Sequence, residues 1–112
     1  MKPPERDIQI LQKLISECKE LEALLDGFKL EGFLSDERTK RAVAMTLINV
    51  GELVKNLSSE TKVINPDIPW KAIAGLRDVA AHHYGTIRME DMWETATKDV
   101  PVFLAEIQTI TK

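Results

Sequence analysis

The chain is poor in the residues that usually announce a chemistry. One cysteine, Cys18, stands among 112 residues. A disulfide framework within the chain is therefore excluded, and a reducing compartment fits. Cys18 lies in a stretch of helical apolar spacing, where a buried structural thiol is expected. No apolar run approaches the ~20 residues of a membrane span. The opening "MKPPERDIQI" lacks the apolar core of a signal peptide. The expected protein is cytoplasmic and has no membrane partner. Net charge is −3, so no basic field attracts nucleic acid, and any such partner needs a local patch. No alternating strand of useful length and no internal repeat is present. Histidine occurs twice and tyrosine once, at His82, His83 and Tyr84.

What remains is apolar periodicity. Ile8, Leu11, Leu14, Ile15, Cys18, Leu21, Leu25 and Phe28 recur at steps of three and four, which predicts a helix from Glu5 to about Phe28. Gly27 and Gly32 bracket a loop, "GFKLEGFLSD", whose large apolar residues should pack back onto the domain. Ser35 is the expected N-cap of a second helix, with Asp36 and Glu37 favoured at its positive end. Val43, Leu47, Val50, Val54 and Leu57 form its stripe. Gly51 in its middle suits a close approach by another helix. "SSETKVINPDIPW" reads as a connection. A third helix is expected from Pro69 towards His83, with Gly75 a possible break and Gly85 after its end. Met92, Trp93, Ala96, Val100, Phe103, Ile107 and Ile110 mark a last segment, kinked or restarted at Pro101. The expectation is a single all-α domain over residues 1–112, an up-and-down bundle of four amphipathic helices.

Proton-transfer chemistry is concentrated in "RDVAAHHYGT", Arg77 to Thr86. Asp78 and His82 are four apart on a helix and share a face, so the carboxylate can orient the imidazole. His82 is rotated about 140° from Arg77 on an ideal helix. The two converge if the helix ends near His82, or if a second copy supplies the missing partner. Cleaving RNA without metal needs a base for the 2′-hydroxyl, an acid for the leaving oxygen and a cation for the phosphorane. His82 suits the proton transfers, Arg77 the phosphate, and Tyr84 a hydrogen bond or a stacked base. A polar helix end with no catalytic role explains the same residues. His82 and His83 point about 100° apart on a helix. No other histidine exists and Cys18 is elsewhere, so neither a metal nor a cofactor is expected.

Arg77, four residues, His82, one residue and Tyr84 resemble the Arg-x4-His-x-Tyr signature of HepT-like toxins in the HEPN superfamily. "INVGELVKNLS", "NPDIPWKAIAGLRDVAAHHYGT" and "MWETATKDVPVFLAEI" resemble that family's second helix, its motif segment and its last segment. One departure is Asp78, where Asn is frequent; a carboxylate beside a phosphate site should weaken anion binding slightly. The resemblance implies an antiparallel HEPN bundle of four to five helices and a two-fold homodimer. It implies a metal-independent endoribonuclease, the toxin of a type II/VII-like toxin–antitoxin pair acting on RNA. Arg77 and His82 would be catalytic, with Asp78, Tyr84 and Glu52 supporting. The antitoxin would be a minimal, MNT-type nucleotidyltransferase that silences the toxin by AMPylating Tyr84.

Glu52 matches the Glu of the family's Gly-Glu pair. It lies next to the apolar face, where a partly buried carboxylate needs a partner, and Arg77 is the candidate. Lys40, Arg41, Lys71 and Arg88 are candidates for a positive patch or are plain solvated charges. Trp70 and Trp93 read as core or interface anchors. Two other functions compete with the enzyme: a non-catalytic HEPN-like binding partner of a nucleotidyltransferase, and nucleotide or small-ligand binding at the same cleft.

Overall fold

Where the apolar stripes run unbroken, the chain forms long helices. The computed structural model describes residues 2–111. Its elements are α1 (Glu5–Leu25), α2 (Leu30–Ser35), α3 (Glu37–Lys55), α4 (Ser59–Ile64), α5 (Trp70–His82), α6 (Met89–Glu94) and α7 (Val100–Ile110). A π-helical turn, Thr95–Asp99, joins α6 to α7 without a gap. The described residues contain no strand.

Cross-contacts fix the directions. Glu17 of α1 meets Asn49 of α3, and Asp7 meets Ser58 beyond α3. Low numbers on α1 thus face high numbers on α3. Glu52 meets Arg77, while Arg41 lies over Tyr84, so α5 also runs against α3. Trp70 packs edge-on against Phe103, whereas Leu76 shares a groove with Thr95, which turns the last segment against α5. The bundle is antiparallel. The predicted stripes of α1 and α3 supply its centre: Leu11, Leu14, Cys18, Leu21, Val43, Leu47, Val50 and Val54 are buried with Phe103 and Ile107. Burial pushes the Cys18 thiol up to about 12, with Glu22 and Glu17 adding to it, which makes it an inert packing group.

The local differences from expectation have identifiable causes. The segment between the glycines is partly helical: Phe33 of α2 is fully buried, and anchoring it favours a helical turn. Gly27 takes φ 81°, the left-handed region in which a Cβ is strained, and this lets the chain leave α1. Asp36, not Ser35, caps α3: its carboxylate accepts from the Thr39 N–H at 3.1 Å. The Ser35 hydroxyl donates backwards to Glu31 and Gly32 carbonyls instead. The connection after α3 holds the short helix α4, capped by Ser58. Gly75 does not break α5. At Pro101 the expected restart is present: α7 begins at Val100, directly after Asp99, with Pro101 in its first turn, but a π-helical turn joins it to α6 without a gap. The Val100 N–H reaches the Thr95 carbonyl five residues back, and this wider turn relieves the clash a proline ring makes with the preceding turn.

One buried carboxylate ties the ends together. Asp7 is fully buried and accepts hydrogen bonds from the Ser58 N–H, the Ser58 hydroxyl and the Thr61 hydroxyl. Burial pushes its carboxyl up, but the Ser58 and Thr61 hydroxyls, the Ser58 N–H and the nearby Arg6 outweigh this and hold it below the usual range. A depressed folded-state pKa adds stability above the unfolded value of about 4, and that stability is lost as pH falls through the folded value. Asp7→Ala leaves three donors unpaired and should destabilise by roughly 2–3 kcal/mol near neutral pH. Urea unfolding from pH 7 down to pH 3 checks both points: the difference between variant and wild type should shrink in acid.

Candidate active site

Gly51 is where α3 and α5 come closest. A Cβ placed there would lie 2.6 Å from both Cβ and backbone N of Arg77, and 2.9 Å from the Ala74 carbonyl oxygen. Only a residue without a side chain permits this approach. The neighbouring Glu52 then faces Arg77, with Oε2 3.2 Å from Nε. The Nε is shielded from water and its hydrogen is not aimed at the oxygen, so the contact is an ion pair without a hydrogen bond. The expected Glu52–Arg77 pair is present. Glu52 itself is not partly buried, however; its side chain is 55 % exposed. It is the Arg77 side chain, 34 % exposed, that carries the burial.

Arg77 also reaches forward. Its Nη1 lies 3.1 Å from Asp78 Oδ1 and 3.2 Å from His82 Nε2. α5 ends at His82, so the 140° offset of an ideal helix is spanned by the long arginine side chain. The convergence occurs within one chain and needs no second copy. A guanidinium can only donate, so this hydrogen bond requires the tautomer in which Nε2 accepts and the ring proton is on Nδ1.

Asp78 does not orient His82 as expected. Its Oδ1 is taken by Arg77 and by Lys55 Nζ at 3.3 Å, and no hydrogen bond joins it to His82 among the described residues. The hydrogen bond from Arg77, then that from Lys55, hold its carboxyl below the usual range. Arg77 intercepts the carboxylate because it is adjacent and longer. Sequence reasoning misses Lys55; its place one turn after Glu52, on the face that Gly51 turns towards α5, is the signal that marks it.

Tyr84 lies just beyond α5, half-buried, with the Arg41 guanidinium 5.5 Å from its ring centroid. Of the four candidate patch cations, Lys40 and Arg41 pair with Glu37. Lys71 and Arg88 make no ion pair among the described residues. Trp70 is buried, donating from its indole to the Asn65 carbonyl, and Trp93 packs on Phe33. Neither presents an open face beside His82. His83 is exposed; its carbonyl receives the Thr86 and Ile87 N–H groups in the turn after α5. Gly51→Ala should destabilise the fold by about 1–3 kcal/mol through overpacking. It should also separate Glu52 from Arg77, and urea unfolding beside a crystal structure of the variant would show both.

The family model described as ribonuclease HepT-like matches residues 14–110. A candidate RNase of Methanocaldococcus jannaschii is 34% identical over 110 residues, covering 97% of this chain and 91% of its own. Another from Caldanaerobacter subterraneus subsp. tengcongensis is 34% identical over 100 residues, 89% of each chain. A protein of Thermococcus cleftensis named as a probable ribonuclease HepT is 33% identical over 82 residues, 73% of this chain and 74% of its own. No solved structure gives a significant match. No helix among the described residues is long and apolar enough to cross a membrane. The matched region contains the helices that carry Gly51, Glu52, Arg77 and His82, and the chain belongs to the HepT-like ribonucleases.

Proposed function

We propose that the protein is a metal-independent endoribonuclease, the toxin of a toxin–antitoxin pair, and that Arg77 and His82 are its catalytic residues. The observation that carries this reading is the 3.2 Å contact of Arg77 Nη1 with His82 Nε2, beside an Nε held by Glu52. A base and a phosphate-binding cation thus stand within reach of one phosphodiester. In the proposed reaction the incoming phosphate takes over the Arg77 Nη1 hydrogen bond from His82, the 2′-hydroxyl attacks the adjacent phosphorus, and the freed Nε2 takes its proton. The O2′–P bond forms and the P–O5′ bond breaks. The imidazolium returns the proton to the departing 5′ oxygen, while Arg77 neutralises the phosphorane. Glu52 fixes the guanidinium. Asp78, with Lys55, holds its other edge.

The proposal extends to regulation. Tyr84 is the site of AMPylation by a minimal nucleotidyltransferase antitoxin. Its position two residues after His82 supports this, because a nucleotide there adds negative charge and bulk at the place RNA must enter. A homodimer over the same surface, and a single domain over residues 1–112, belong to the same reading. The two carboxylates on Arg77 favour a second reading, in which the cation is structural and the protein is a non-catalytic partner of the nucleotidyltransferase.

RNA incubated with the unmodified protein in EDTA separates the two. Wild type should cleave and His82→Ala should lose activity by about 10²-fold or more. Cleavage that is equal in both proteins would remove His82 from the reaction, and no cleavage by either would favour the non-catalytic partner. With the nucleotidyltransferase and ATP, wild type should gain the mass of one AMP and Tyr84→Phe should gain none. A mass gain that persists in Tyr84→Phe places the modification elsewhere.

A further inference from the structure

One open groove of the molecule lies apart from His82. It lies between α1 and α3, has a volume of about 700 Å³, and is lined by Gln9, Gln12, Ser16, Asn49, Glu52 and Leu53. Glu52 belongs both to this groove and to the Arg77 ion pair. Anything seated in the groove therefore lies one side chain away from the guanidinium.

Gln9, Gln12 and Ser16 recur on one face of α1 and find no hydrogen-bond partner for their side chains among the described residues. Asn49 spends one N–H on Glu17, at 2.8 Å, and keeps its carbonyl oxygen and second N–H. Half-buried Leu53 gives an apolar floor. Amide side chains pair two-pronged with the donor and acceptor edges of bases, and an apolar surface accepts a base face. The charge argues the same way. Lys13 lines the groove beside two carboxylates, Glu17 and Glu52, so a phosphate is disfavoured there and a neutral heterocycle is not. The groove is open to solvent and wide enough for a nucleobase to lie on it.

We propose that this groove is a base-recognition subsite, which takes a nucleobase next to the scissile phosphate and sets the sequence preference of cleavage through Gln12 and Asn49. The proposal rests on the ribonuclease reading. In it Glu52 is the hinge of the site: one carboxylate oxygen holds Arg77 on the phosphate side, and the side chain walls the base on the other.

The test uses Gln12→Ala and Asn49→Ala, both at exposed positions outside the Arg77–His82 pair. Cleavage products of a randomised RNA are sequenced, and binding of the four 2′-O-methyl homopolymer hexamers, which cannot be cleaved, is measured alongside. Wild type should prefer one base beside the cut and bind one hexamer best. Each variant should cleave the preferred site about tenfold less efficiently, flatten the preference and lose the hexamer discrimination. A wild-type preference unchanged in both variants, or no preference at all, overturns the subsite. If wild type does not cleave, the ribonuclease reading fails. The hexamers then decide the subsite: discrimination lost in the variants supports it, and equal binding of all four overturns it. Rapid disulfide pairing of Gln12→Cys chains would assign the groove to a second copy and overturn it as well.

Discussion

The candidate site depends on how near α5 comes to α3. Gly51 has no side chain, and the backbone of Arg77 occupies the space a methyl group would need. This contact fixes where the arginine starts. Glu52, the next residue, then meets the guanidinium at Nε, and Asp78 and His82 meet it at Nη1. A long, flexible side chain is held at one end by packing and at the other by three polar groups. A glycine inside a helix costs about 1 kcal/mol against alanine, and here it is offset by the close seating of the helix that carries Arg77 and His82.

The electrostatics follow from that placement. Arg77 lies between two carboxylates, which lowers the local positive charge but leaves its direction fixed. For a group that must meet a developing phosphorane, orientation set in advance of the reaction counts for more than raw attraction to RNA. The chain's net negative charge agrees with this: binding through a broad basic surface is not how this molecule would hold its substrate. Neutral amides, an apolar floor and one oriented cation suit a short single-stranded segment better than a duplex backbone.

Much of this arrangement is legible in the amino-acid sequence. The stripes of α1 and α3 name the core because the period of three and four leaves only one way to bury Leu11, Leu14, Val50 and Val54 together. Gly51 and Glu52 declare themselves as a close approach and an ion pair. What escapes the sequence depends on side-chain reach and on backbone detail. An ideal helix places His82 well away from Arg77, but that estimate tracks Cα directions and ignores the length of the arginine. The same length takes Asp78 from His82. Asp36 and Ser35 are both good caps, and only the direction of the chain entering α3 chooses between them. Pro101 announces the start of α7, but the wider turn that carries the chain into it without a gap leaves no mark in the sequence. The burial of Asp7 gives no sign at all; its partners lie some fifty residues away.

The central claim is that Arg77 donates to His82 within one chain and so fixes the imidazole tautomer. Long-range ¹H–¹⁵N correlation spectra of the two histidines, near pH 8, test it directly. The account predicts that His82 carries its proton on Nδ1 with an unprotonated Nε2, and that Arg77→Ala releases it towards the Nε2–H form usual for a free imidazole. A wild-type His82 already protonated on Nε2, unchanged by Arg77→Ala, would contradict it.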